Sequence, residues 1–210
     1  MKEDSTVTRL FASAGVIALS ALLGVTTYMI VARNSDDAFA ACRSGNVAGG
    51  TIGGPFKLLD ETGANVTDAQ VLTKPALVYF GYANCPDVCP LDNARNVEAV
   101  ELLKAAGHDV TPIFISVDTA RDTPALLTEY TDNFGPSLLG LTGSPEQIKA
   151  AAQAYKVYYQ IPEGATEYYE VQHTTLTYLM LPKTGFADFF QRETTAQEIV
   201  DRVGCFLKAS

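Results

Sequence analysis

The stretch YFGYANCPDVCP, residues Tyr79–Pro90, runs from an apolar strand into two cysteines, Cys85 and Cys89, spaced four residues apart. The run that begins at Ala76 and enters this stretch is apolar on both faces, which predicts a central, buried strand. The residues from Pro90 to Ala106 favour a helix with one apolar stripe, and a glycine follows as a typical helix stop. The local order is therefore strand, cysteine loop, helix.

The same order of elements repeats further along the chain. Val110–Val117 is another apolar run, and Thr123 then places a capping hydroxyl before a first-turn proline. Ser144 and Thr195 are expected to cap two later helices in the same way. This alternation of strands and helices predicts an α/β fold with a parallel sheet covered on both faces.

Pairs of segments that flank short turns predict antiparallel β-hairpins in addition to this core. The pairs are Phe56–Asp60 with Asn65–Thr67, Val157–Ile161 with Tyr168–Val171, and Thr174–Leu181 with Phe186–Phe190. His173 lies between the second and third pairs.

The composition limits the classes of function. The chain has 210 residues, 47% of them hydrophobic, which is enough for one domain and accessory segments. Its formal net charge of -9 and its lack of clustered Lys and Arg exclude nucleic acid as the expected partner.

The N-terminal part of the chain predicts a membrane anchor. Residues 10–32 carry no charged side chain and as a helix would span the hydrocarbon layer of a membrane. The flanking charges favour a cytoplasmic segment at 1–9, a tether at 33–51 and a domain at 52–210 across the membrane. The expected location is the bacterial inner membrane, with a single pass and the domain in the periplasm.

Other interpretations of this N-terminal part remain open. Ala38-Phe39-Ala40 has the form of a signal-peptidase site, and Cys42 would be the modified residue of a lipoprotein. The apolar run is too long for a signal peptide, and polar residues separate it from Cys42, so we favour an uncleaved anchor. Acidic residues near the start also fit poorly with a mitochondrial transit peptide.

The four cysteines divide into two pairs with different expected roles. Cys89 lies at the apparent start of a helix, where free backbone N–H groups and the helix dipole favour a thiolate. The side chains of Cys85 and Cys89 can face the same side. Three roles stay open for this pair: metal binding, a structural disulfide and thiol redox chemistry. Cys42 and Cys205 lie near opposite ends of the domain, and we predict a structural disulfide between them.

Two histidines and one acidic loop complete the set of candidate residues. His108 follows a glycine in a surface-type turn and is expected to be structural, whereas His173 begins a strand and its relation to the cysteines stays open. Asp118 follows the second predicted strand, at the sheet edge that also receives the cysteine loop. Arg121 and Asp122, taken individually, fit a solvated loop before a helix equally well.

Together, these motifs resemble the Sco/SenC proteins, membrane-anchored thioredoxin-like domains implicated in copper delivery to cytochrome c oxidase. The resemblance covers about residues 52–207. It rests on Gly54-Pro55-Phe56, on Tyr79–Pro90, on Asp118 with Arg121-Asp122-Thr123-Pro124, and on His173-Thr174.

The resemblance implies a thioredoxin-like fold with extra β-hairpins and one copper ion, Cu(I) or Cu(II), bound by Cys85, Cys89 and His173. Asp118 and Gln172 would then lie around the ligands and orient the imidazole. This chain departs from the family at Thr119, where a proline is usual, and at Gln172, where an aspartate is usual. These departures bear on copper affinity and redox preference.

Two functions from different classes follow. The first is a copper metallochaperone that passes copper to the CuA domain of cytochrome c oxidase subunit II and receives it from another periplasmic copper chaperone. The alternative is a thiol-disulfide oxidoreductase that reduces partner cysteines, such as those of the CuA site, through Cys85 and Cys89 without carrying metal. A zinc site with the same ligands and a peroxidase are less favoured.

Overall fold

The computed structural model describes residues 20–29, 38–43 and 51–210 of the chain. The chain divides into two units, one made of Met1–Cys42 with Ala209–Ser210 and the other made of Arg43–Lys208. In the first unit, residues 20–29 form helix α1 and residues 38–42 form turns. Within this stretch Phe39 and Cys42 are buried, whereas Ala38, Ala40 and Ala41 are exposed.

The strands are β1 (Lys57–Asp60), β2 (Asn65–Thr67), β3 (Ala76–Gly81), β4 (Thr111–Ser116), β5 (Leu139–Thr142), β6 (Tyr159–Gln160), β7 (Gln172–His173), β8 (Thr177–Leu181) and β9 (Gly185–Phe190). The helices that follow α1 are α2 (Asp68–Val71), α3 (Val88–Ala105), α4 (Pro124–Asp132), α5 (Pro145–Ala154) and α6 (Ala196–Ala209).

Seven of the described strands form one mixed sheet in the order β2-β1-β5-β4-β3-β8-β9. β3, β4 and β5 run parallel, whereas β1 and β8 join them antiparallel. All six residues of β3 are buried, as predicted from its apolar run, because a parallel central strand is covered on both faces. The ends of β3 and β4 lie side by side through the register Gly81↔Ser116, which brings the loops after both strands to one edge.

Two of the predicted hairpins are confirmed and the third is partly wrong. β1 pairs with β2, and β8 pairs with β9. In the remaining hairpin, predicted from Val157–Ile161 and Tyr168–Val171, β6 pairs with Gln172 and His173, whereas Tyr168–Val171 is not a strand. The physical reason is that Tyr169 contacts the loop after β4, an interaction between distant residues that the local pattern does not contain.

The predicted helix caps are present. The Thr123 side chain accepts a hydrogen bond from the Leu126 N–H at the start of α4. Ser144 and Gln147 form a reciprocal capping box at the start of α5, with distances of 3.3 and 2.7 Å. At α6, Thr195 accepts a hydrogen bond from the Glu198 N–H, and the Glu198 carboxylate accepts one from the Thr195 N–H.

Across residues 20–29, 38–43 and 51–210, every helix is too short or too polar to cross a membrane. The anchor expected at 10–32 is described only over 20–29, and the expected cytoplasmic segment 1–9 lies outside the described residues. Cys42 and Cys205 are disulfide-bonded, whereas Cys85 and Cys89 are free. The expected disulfide bond is therefore present.

Candidate metal centre

The two free cysteines lie where β3 ends and α3 begins. Cys85 is in the connecting loop, and its N–H donates to the Tyr82 carbonyl at 3.3 Å. Helix α3 begins at Val88, two residues before the predicted start, which places Cys89 in the first helical turn. Pro90 is tolerated in this turn because its missing N–H would have had no partner within the helix.

The third candidate ligand comes from β7, which places the His173 imidazole against the cysteines. The distance from His173 Nε2 to Cys89 Sγ is 3.4 Å. Cys85, Cys89 and His173 each offer one ligand atom, and these three atoms all lie within 4.8 Å of one another. The structure thus brings together the three residues that the family resemblance implied, including a histidine that spacing alone did not connect to the cysteines.

The backbone determines which nitrogen of His173 faces the sulfurs. Nδ1 lies 3.0 Å from the carbonyl oxygen of Thr174, which can only accept a hydrogen bond. Nδ1 is therefore placed to donate to this carbonyl, and Nε2 is the nitrogen that faces the sulfurs. An imidazole held in this orientation can bind a metal through Nε2.

The two thiols differ in acidity and in exposure. The Cys89 thiol, the His173 ring and the backbone N–H groups of Asp87 and Cys89 lower the pKa of Cys85 to about 3, against the opposing effect of burial. One of these donors is the Cys89 N–H, 3.3 Å from Cys85 Sγ at the start of α3. The resulting Cys85 thiolate and burial raise the pKa of Cys89. The sequence placed the thiolate at Cys89, and the structure places it at Cys85.

Aromatic residues of β3 and the following loop surround the imidazole, and sequence reasoning missed their role. The rings of Tyr79 and Tyr82 meet the His173 ring edge to face, with centroids 6.1 and 5.8 Å away. The Tyr79 hydroxyl also lies 3.8 Å from Cys89 Sγ. The sequence contained a signal for Tyr79. Side chains alternate along a strand, so Tyr79 and Gly81 must lie on the same face of β3.

Gly81 is needed at this position because α3 approaches β3 closely. A Cβ atom on Gly81 would lie 2.8 Å from Cys89 Sγ and 3.0 Å from ring atoms of both Tyr79 and Phe114. These separations are shorter than van der Waals contact, and none of the three neighbours has space to retreat in a packed core. The glycine therefore allows the Cys89 sulfur to approach the sheet.

Asp118 and Gln172 occupy different environments. The Asp118 carboxylate is fully buried, pairs with Arg121 at 2.5 Å and accepts a hydrogen bond from the Tyr169 hydroxyl at 2.7 Å. Gln172 is exposed in β7, where it pairs with Gln160. Asp118 thus contacts the segment before His173 through Tyr169, whereas Gln172 directly precedes His173 in the sequence.

Of the two interpretations that the sequence leaves open for Asp122, the solvated loop is wrong, since this residue is 1% exposed. Its carboxylate accepts hydrogen bonds from the Ser116 hydroxyl and the Ala83 N–H, at 2.5 and 2.7 Å. Ala83 lies two residues before Cys85, so Asp122 ties the cysteine loop to the end of β4. Burial raises the pKa of Asp122.

The donor set fits a soft metal ion. Two sulfurs and one imidazole suit Cu(I) and zinc, whereas they do not suit magnesium or calcium. Cys85 is already a thiolate before metal binding, whereas Cys89 has to lose its proton. His108 lies apart, in the turn after α3.

Comparison with known proteins identifies a family. A sequence profile of the SCO1/SenC family matches residues 45–208. The chain is 52% identical over 210 residues to Protein SenC of Rhodobacter capsulatus and covers 94% of its length. It is 41% identical over 165 residues to the mitochondrial Protein SCO1 homolog 1 of Arabidopsis thaliana, of whose length it covers 49%.

Solved structures agree with this match. The copper-bound structure of Arabidopsis thaliana ScoI superposes with a TM-score of 0.73 at 39% identity, over 76% of this chain and 100% of that chain. The structure of BsSco, a member of the Sco family of cytochrome c oxidase assembly proteins with a disulfide switch, has a TM-score of 0.61 at 27% identity. It covers 74% of this chain and 92% of that chain. The mixed α/β fold is thus the thioredoxin-like Sco fold, and the chain belongs to the SCO1/SenC family.

Proposed function

We propose that this protein is a copper metallochaperone for the CuA centre of cytochrome c oxidase and binds one copper ion through Cys85, Cys89 and His173. The observation that carries the proposal is the convergence of two sulfurs and Nε2 within 4.8 Å. The copper-bound structure of Arabidopsis thaliana ScoI supports the choice of metal. The description of BsSco as a cytochrome c oxidase assembly protein supports a role in the assembly of that oxidase.

The geometry favours transfer of copper by exchange of ligands. Cys85 is the more exposed of the two cysteines at 8%, whereas Cys89 is fully buried. An incoming thiolate of the CuA domain would therefore replace Cys85 first, while Cys89 and His173 still hold the ion. Oxidation of Cys85 and Cys89 to a disulfide, with the two electrons passing to a partner disulfide that becomes two thiols, would remove both thiolates and release the metal.

The experiment that tests this function is a chelator competition with Cu(I) and with Cu(II) on the reduced protein. The variant His173→Ala lacks one of the three ligands, so its copper affinity should be at least about tenfold lower than that of the wild type. A tenfold change corresponds to about 1.4 kcal/mol of binding free energy. His108→Ala is the matched control, because it removes the other histidine outside the cluster. Equal affinity of the two variants, or weak binding by the wild type, contradicts the proposal.

A second function, thiol-disulfide oxidoreductase, is favoured by one observation. Cys85 and Cys89 are free and adjacent, and the pKa of Cys85 is low, as a reactive thiolate requires. The test is reduction of a disulfide-bonded CuA-domain peptide by the metal-free protein. A reductase needs only the two cysteines, so His173→Ala should then retain the activity, whereas a chaperone alone should show none.

We also propose that the protein is held in the bacterial inner membrane by residues 10–32, with the domain in the periplasm beyond a tether at 33–51. Its copper donor would be another periplasmic chaperone. The support is the uncharged run at 10–32 and the presence of a disulfide, which forms in oxidising compartments. Protease accessibility in spheroplasts tests the placement, and a protected domain would contradict it.

A further inference from the structure

We propose that Arg121 is a positioning residue for the metal centre: it clamps the segment 161–171 to the sheet edge and thereby places His173 against the cysteines. The inference rests on the proposed function, because its main consequence is copper binding through His173. Arg121 itself touches none of the reacting atoms.

The segment that carries His173 needs such a clamp. β6 and β7 contain two residues each and pair only with each other, apart from the seven-stranded sheet. An isolated pair of short strands is marginally stable in water. Residues 162–168 between them are exposed, and Tyr168 is 87% exposed. The position of His173 therefore depends on contacts made outside its own hairpin.

In addition to the burial of Val171, Arg121 supplies such contacts through Tyr169. One guanidinium nitrogen donates to the Tyr169 carbonyl oxygen at 3.1 Å, and the guanidinium lies over the Tyr169 ring at 3.5 Å. The Arg121 Nε donates to Asp118 Oδ2 at 2.5 Å, and the Tyr169 hydroxyl donates to Asp118 Oδ1 at 2.7 Å. The three side chains form a closed set of contacts between the loop after β4 and the His173 segment.

The clamp also reaches the cysteine loop. The Arg121 guanidinium lies 5.7 Å from the Tyr82 ring, and this ring meets His173 at 5.8 Å and precedes Cys85 by three residues. Beside the clamp is a cavity of about 660 Å³ that Asn84, Pro86 and Tyr169 help to line. Without the clamp, the segment would have space to move away from the sulfurs.

The test compares two variants that remove contacts between Arg121 and Tyr169 but keep a positive charge beside the buried Asp118 carboxylate. Arg121→Lys keeps a positive charge beside Asp118, but a lysine lacks the planar group that stacks and donates to several acceptors. Tyr169→Ala keeps the Arg121–Asp118 pair and removes the ring and hydroxyl. Each should weaken copper binding by about tenfold, within the range measured for residues that orient metal ligands.

The double variants show whether Arg121 acts through His173. In a His173→Ala background, Arg121→Lys should cause no further loss of affinity, because the ligand that it positions is already absent. Wild-type affinity in Arg121→Lys, or an equal loss with and without His173, overturns the inference. The charge-transfer absorption and electron paramagnetic resonance of the Cu(II) form should likewise shift towards those of His173→Ala.

Arg202→Lys is a matched control. Arg202 pairs with the buried Asp188, donates to the Phe189 carbonyl oxygen and lies over the Phe190 ring, so it repeats the chemistry of the clamp between α6 and β9. Its replacement should leave copper affinity unchanged.

A second measurement does not depend on copper. In the metal-free protein, hydrogen exchange of the backbone amides of residues 166–173 should be about tenfold faster in Arg121→Lys, because local opening governs their protection. Exchange in β3 and in Arg202→Lys should match the wild type. Unchanged exchange at 166–173 overturns the clamp. If the exchange increases and the wild type binds no copper, the clamp stands and the proposed function fails.

Discussion

At the residue scale, Cys85 and Cys89 face the same imidazole but differ in chemistry. Cys85 is 8% exposed, and the Cys89 N–H and thiol stabilise its negative charge, whereas Cys89 is fully buried. The two cysteines of the site thus differ in both exposure and acidity.

The pKa of Cys85 predicts its reactivity with iodoacetamide as a function of pH. Because the folded pKa is about 3, the thiolate is fully formed between pH 6 and pH 8, and the alkylation rate of Cys85 should be nearly constant over that range. An ordinary thiol, with a pKa of about 8.5, would slow by about tenfold per pH unit below it. Peptide mass spectrometry of the metal-free, reduced site measures the rate.

The same reaction in denaturant is the control, since the unfolded Cys85 should regain the ordinary pH dependence. Cys89 should react far more slowly than Cys85 in the folded protein because it is fully buried and its pKa is raised. A Cys85 rate that falls tenfold from pH 8 to pH 7 would contradict the assignment of the thiolate.

At the element scale, the site depends on where helices and strands begin and end. Helix α3 begins early enough to aim the Cys89 N–H at Cys85 Sγ, and β3 ends in Gly81, which lets the Cys89 sulfur approach. The sequence predicts a start at Pro90, whereas α3 begins two residues earlier, at Val88, because proline is tolerated throughout the first helical turn.

The capping box of α5 predicts a measurable contribution to stability. Ser144→Ala removes the oxygen that accepts the Gln147 N–H, and the free energy of unfolding should fall by about 1 kcal/mol. Gln153→Ala, at an exposed position in the same helix, should change it by only a few tenths of a kcal/mol. Urea unfolding measures both, and equal effects would contradict the capping assignment.

At the scale of the whole molecule, the disulfide state of Cys42 and Cys205 predicts a large effect on stability. A bridge that closes a loop of more than a hundred residues stabilises by about 4–5 kcal/mol through the entropy of the unfolded chain. The double variant Cys42→Ser, Cys205→Ser should lose that amount in urea unfolding and keep its copper affinity, since neither residue belongs to the site.

The reduced wild type is the control, and it should unfold like the double variant. A double variant as stable as the oxidised wild type would show that the bridge contributes nothing. Alkylation of Cys42 or Cys205 in the unreduced protein would contradict the disulfide itself.

The sequence by itself determined the central strand, the alternation of strands and helices in the core, the helix caps, and the placement of Cys85 and Cys89 at a strand-to-helix loop. These features depend on apolar periodicity and on residues only a few positions apart. Motif resemblance then indicated the family and the three ligands.

Only the tertiary structure decided how His173 meets the sulfurs, which cysteine is the more acidic and which residues Arg121 contacts. The Cys89–His173 contact joins residues 84 positions apart, and the Arg121–Tyr169 contact joins residues 48 positions apart. Such contacts depend on how loops from different elements pack at one sheet edge, and local sequence patterns do not encode that arrangement.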